Sequence, residues 1–186
     1  RMQEALADRF MFKVVLEETT IVEKIAIAQR TRNFKPELLK PVVSTHLINQ
    51  AREFFFDPEN FYVSNAASGC CVKIIQAINH PEEFGLFKEE LNLLSNERLF
   101  KQKIAINDRG VLHLEGAAMI EAVWHRRAYV LPQDVYEVAA DVLRSRLIVN
   151  DASLYLLLDN ENAPYKTETE LINHLIKELL EGVALP

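Results

Sequence analysis

Glycine is scarce in this sequence. Only Gly69, Gly85, Gly110, Gly116 and Gly182 occur, none is followed by lysine, and none has a second glycine at the spacing a P-loop needs. A phosphate-cradling loop of the G-x-x-x-x-G-K-[ST] kind requires both features, because backbone amides close round the phosphates while the lysine reaches them. The chain by itself therefore cannot bind and hydrolyse ATP in the P-loop manner. Cysteine is scarcer still, with Cys70 and Cys71 adjacent to one another. A disulfide between neighbours is strained, and no His or Cys stands at ligand spacing around them, so both are expected to be small core or half-buried residues in a reducing cytoplasm. Long apolar runs are missing and no signal peptide is expected, which argues against membrane insertion. Positive charge is outnumbered: 21 Lys and Arg against 27 Asp and Glu leave a net charge of −6. That balance argues against a nucleic acid or an anionic membrane as the main partner.

What remains is ordinary for a folded domain. A hydrophobic fraction of 49% and a charged fraction of 26% over 186 residues suit one domain, or a domain with an appendage. Plentiful Leu, Ala and Glu, with apolar spacings of three and four, predict a mainly helical fold.

Along the chain, Phe10-Met11-Phe12-Lys13-Val14-Val15-Leu16 suits a short buried strand. Thr20 caps a predicted helix that runs to about Arg30, and the Lys35-Pro36 and Lys40-Pro41 pairs mark a loop. Ser44 caps a helix that Asp57-Pro58 ends, and Ser64 caps another that closes at Asn79-His80-Pro81. A weaker helical stretch spans about Glu82 to Leu94, and Lys103–Ile106 reads as extended. A helix from Arg109 to about Arg126 is rich in small residues (Gly116, Ala117, Ala118, Ala122), a surface another element can approach closely. Pro132 opens a further helix to about Arg146. Thr167 with Glu170 forms a capping box for the last helix, and Gly182 is expected to stop it.

Few residues offer chemistry. Leu154–Glu161 has the apolar-then-acid outline of a Mg2+-holding segment, yet without a P-loop the acid has no nucleotide to serve; a buried strand or helix end is expected instead. The five histidines (His46, His80, His113, His125, His174) show no paired metal-ligand spacing with carboxylates on a helix. The Arg30–Lys35 cluster reads as a solvated helix end, and His125-Arg126-Arg127 as a basic helix C-terminus. Arg109 is sharper. A cation in a first helical turn opposes the helix dipole unless an anion is near, while helix N-termini are themselves anion sites. A docking phosphate would explain it; so would a solvated surface arginine.

A resemblance bears on that choice. Asn107-Asp108-Arg109 is similar to the Ser-Asp-Arg motif that opens a helix in RavA-like lids, and Tyr129-Val130-Leu131-Pro132-Gln133-Asp134-Val135 resembles the Tyr-Val-Thr-Pro-Glu-Asp-Val of the same family. Asp141-Val142-Leu143-Arg144-Ser145-Arg146-Leu147 resembles its Val-Leu-Arg-His-Arg-Leu, with serine for histidine; an amphipathic helix with solvated arginines is the alternative for that segment. Glu4-Ala5-Leu6-Ala7-Asp8-Arg9-Phe10 looks like the approach to the last core strand. The chain thus resembles the C-terminal lid region of a MoxR/RavA-type AAA+ ATPase over about residues 4–17 and 104–150. The likeness is weak over 30–103 and absent over 151–186.

The resemblance implies a helical-bundle lid with one or two short strands left from the AAA+ core. Residues 1–17 would end that core, 18–150 would form the lid with an insertion around 56–103, and 151–186 would be a C-terminal extension. Arg109 would be the sensor 2 arginine reaching the γ-phosphate in the same subunit. Arg9 would be the arginine finger reaching a neighbour's ATP. The intact protein would use ATP and Mg2+, neither expected to bind this chain tightly alone. Its partners would be the rest of the AAA+ core, further copies in a ring, usually a hexamer, and client proteins, often with von Willebrand A domains. A free-standing helical interaction module, with the Ala-rich face as groove or core seam, is the competing reading.

Overall fold

The computed structural model describes residues 11–12, 19–33, 42–57, 59–94, 98–101 and 108–183. They fall into two compact units, Val14–Phe61, and Arg1–Lys13 with Tyr62–Pro186. Mainly helical architecture is observed, with two two-residue strands among the described residues.

In the smaller unit, helix α1 (Ile21–Asn33) opens on a reciprocal cap. Thr20 Oγ1 accepts from the Glu23 amide at 3.3 Å, and Glu23 Oε2 accepts from the Thr20 amide at 2.7 Å. Helix α2 (Thr45–Phe56) opens on Ser44, whose hydroxyl accepts from the Leu47 amide at 3.2 Å. It ends at Asp57, which turns the chain by accepting from the Glu59 amide and the Asn60 side chain. The rings of Phe54, Phe55 and Phe61 meet one another there.

The larger unit is built round three helices: α3 (Asn65–Asn79), α6 (Asp108–Trp124) and α7 (Pro132–Leu143) pack on one another. Between α3 and α6 lie α4 (Pro81–Phe84) and α5 (Lys88–Leu94), and α8 (Asp151–Leu158) and α9 (Glu168–Gly182) follow α7. Strand β1 (Tyr62–Val63) pairs in parallel with β2 (Tyr129–Val130), in the register Tyr62↔Tyr129 and Val63↔Val130. Ser64 caps α3 by accepting from the Ala67 amide at 3.1 Å. Ala67, Cys71, Ile74, Ile75 and Ile78 then bury one face of α3. The small residues of α6 make a core seam: Ala117, Ala118 and Ala122 are all buried, and the Met11 methyl lies against Gly116. The last helix packs onto α3 and α7 through Leu171, Leu175 and Leu179.

Several local expectations change. The stretch 82–94 is two short helices, broken where Gly85 and Phe87 take left-handed conformations (φ 66° and 55°). Leu154–Leu158 takes the helical one of its two readings, since Asn150 accepts from the Ala152 amide and starts α8, but Tyr155 and Leu156 are exposed and only Leu157 is fully buried. The helix after Pro132 ends at Leu143. Gly182 does not stop α9 by a left-handed turn: the helix includes it, and its missing side chain makes room for Leu86, whose Cδ2 a Cβ there would strike. The strand expected at 10–16, the loop at 35–41 and the extended 103–106 lie outside the described residues, apart from Met11 and Phe12.

Both cysteines are unbridged, Cys71 buried and Cys70 half-buried, as expected. Burial, with the Glu115 charge adding, pushes the Cys71 thiol up to about 12, and burial also raises Cys70. Iodoacetamide at about pH 8 should label Cys70 slowly and Cys71 only once denaturant unfolds the chain, since the thiolate is the reactive form. Mass spectrometry of native and denatured samples checks this; equal labelling of both in the native protein would contradict the packing of α3.

Candidate functional site

The candidate site is the N-terminal end of α6. Asp108 and Arg109 occupy its first turn and both are exposed. The first amides of a helix lack intrahelical acceptors, so they and the arginine together present donors and positive charge. Immediately below, Gly110 and Leu114 are buried, which fixes this end of the helix against the bundle. Asn107 and Arg9 lie outside the described residues.

The two flanking motifs hold α6 in place. Arg126 takes φ 59° and ends the helix, so Arg127 turns toward α7. The Arg127 guanidinium grips the Asp134 carboxylate with both terminal nitrogens, Nη1 to Oδ2 at 2.8 Å. Asp134 Oδ2 also accepts from the Leu131 amide at 2.7 Å, which caps α7. Arg127 further donates to the Tyr129 carbonyl and lies over its ring. Burial raises the Asp134 carboxyl, but the Arg127 and Leu131 hydrogen bonds outweigh it and hold the group below the usual carboxylate range. So the sequence reading of 125–127 as a plain basic helix end missed a partner; the signal was an aspartate at the third position of a proline-started helix.

The arginines after α7 are not a solvated pair. Arg144 bonds Asp141 and Asn173, and Arg146 is fully buried, its Nη2 2.5 Å from His113 Nδ1. His113 stands one turn beyond Arg109 on α6. The segment 144–146 thus braces the helix that carries the candidate sensor arginine.

The expectation about histidines also needs correction. His174 and Glu178 lie four apart on α9, and His125, just past the end of α6, stands four beyond Glu121 on its last turn. Facing helices complete both groups, Glu90 for the first and Glu137 for the second. Side chains four apart share a helix face, and the spacing was readable in the sequence.

This bundle, with an exposed arginine opening the braced helix, has the form of an AAA lid domain, and residues 102–162 match that family. The likeness extends further. Chaperone MoxR1 of Mycobacterium tuberculosis is 30% identical over 185 residues, which is 100% of this chain and 42% of that protein. It therefore aligns through 30–103 and 151–186, where the motifs showed little or no resemblance. A solved structure of a candidate ATPase from Cytophaga hutchinsonii shares the fold, with a TM-score of 0.66 and 23% identity over 96% of this chain and 48% of that one. The chain spans less than half the length of either relative. In sequence and fold the chain matches the lid region of MoxR-type AAA+ ATPases.

Proposed function

We propose that this lid senses nucleotide for the whole ATPase and converts its occupancy into remodelling or activation of partner proteins. The carrying observation is Arg109, exposed in the first turn of a helix that α3 and α7 hold rigid. The residues present suit one edge of an ATP site: an arginine at a helix N-terminus fits a terminal phosphate, and the P-loop would come from the core. Bound Mg2+-ATP would supply the phosphoryl bond whose cleavage drives the cycle.

Arg109 would orient toward the γ-phosphate in its own subunit and stabilise its charge. Arg9 would serve the neighbouring site in a ring, hexameric by family resemblance, and clients would include proteins with von Willebrand A domains. The lid would turn against the core as a rigid body. A buried Ala-rich seam does not favour the interaction-module reading, since the groove it requires is filled by the chain's own helices.

Hydrogen exchange on the full-length protein tests the proposal. Mg2+-ATP should slow exchange several-fold at amides 109–111, in the first turn of α6, relative to nucleotide-free protein. Identical exchange in both states would overturn it.

A further inference from the structure

The strongest unassigned feature joins α5 to α9, away from Arg109 in the chain. Glu90 is only 3% exposed. A buried carboxylate ordinarily holds short, charge-assisted hydrogen bonds of about 2.5–2.9 Å. Glu90 instead has two contacts, both at 3.4 Å: the Tyr165 hydroxyl and His174 Nε2. Its surroundings add negative charge, because Glu178 meets the same point. Donor atoms of Glu90, His174 and Glu178 all lie within 4.8 Å of one another.

Donors about 2.0–2.2 Å from a four-coordinate ion stand roughly 3.4 Å apart. The Glu90–His174 pair, at 3.4 Å, already has that separation, and the Glu178 ligand atom lies within 4.8 Å of both. Its approach is oriented, since Glu178 Oε1 accepts from the Phe87 amide and leaves the other oxygen for a ligand role. The imidazole is oriented too, by the Tyr165 ring with centroids 5.4 Å apart. The Tyr165 hydroxyl donates to Glu90 Oε1 at 3.4 Å from the side of the cluster. Ligands fixed by hydrogen bonds behind them are the usual mark of metal sites.

We propose that Glu90, His174 and Glu178 bind a divalent transition-metal ion, with zinc the best match to one imidazole and two carboxylates, leaving a fourth position for water. The ion would replace two long contacts by three short bonds and fasten the last helix to α5. This proposal stands apart from the nucleotide role.

The full chain, stripped of metal by chelator and dialysis, is titrated with zinc chloride by calorimetry. One equivalent should bind and raise the melting midpoint, and cobalt in its place should show the visible bands of a four-coordinate ion. Glu178→Gln keeps the acceptor for Phe87 but removes a ligand charge; His174→Ala removes the imidazole. Each should weaken zinc binding more than about 100-fold, while His125→Ala, in the more exposed Glu121–His125–Glu137 group, leaves it unchanged. Helical circular dichroism without metal establishes that each variant is folded, and the wild-type titration decides the matter if one is not. Absence of saturable zinc binding, retention of it in both variants, or its loss in His125→Ala would each overturn the proposal.

Discussion

On the proposed sensor role, replacing Arg109 by alanine in the full-length protein should lower ATP turnover by more than about tenfold and leave the lid folded. The side chain is exposed at the start of α6, so its removal uncovers no core, and surface changes of this kind stay within about 0.5 kcal/mol of neutral. Turnover should suffer because a planar, permanently charged fork stabilises charge spread over the phosphoryl oxygens, which alanine cannot do. Arg109→Lys keeps the charge without the fork and should recover only part of the rate. Phosphate release and a melting curve, measured on the same preparations, separate the two effects. Near-normal turnover in Arg109→Ala would remove the sensor role.

Asp134→Ala should do the opposite, destabilising the lid whatever nucleotide does. Asp134 is fully buried, grips Arg127 through two hydrogen bonds and caps α7 through the Leu131 amide. Breaking a fully buried pair costs about 3–5 kcal/mol. The Arg127 head keeps some contact with water, so about 2–3 kcal/mol is expected here, including the lost cap. That corresponds to a fall of about 6–10 °C in the melting midpoint for a chain of this size. A fall below about 2 °C would mean that the pair is not structural.

The same pair sets a pH dependence. The folded Asp134 carboxyl titrates below its ordinary value, so its contribution is present above the unfolded carboxylate pKa of about 3.9 and is lost as pH falls through the folded one. In Arg127→Ala the lowering influence of the guanidinium is gone while burial still raises the group. Acid unfolding, followed by circular dichroism, should therefore begin at higher pH in that variant. An unchanged acid midpoint would show that Arg127 does not hold the carboxyl down.

Elements governed by local chemistry were legible. Ser44, Ser64 and Thr167 cap helices as read, because an N-cap hydroxyl needs only amides two or three residues on. Pro132 starts α7 for the same kind of reason: its fixed φ and missing amide suit a first turn. The break at Gly85–Phe87 was less so, since Glu178 from another helix holds the Phe87 amide. Arg146 read as solvated because nothing near it in sequence shows that His113 will face it.

The sequence by itself determined the helical class, the starts at Ser44, Ser64, Pro132 and Thr167, and the family likeness, for these rest on periodicity, caps and the order of short motifs. Tertiary structure alone decided which charges are buried and paired. Arg146 with His113, and Glu90 with His174 and Glu178, take their character from segments 33 and up to 88 positions apart. Desolvation makes a charge significant only when its partner arrives through the fold, and no local pattern encodes that arrival.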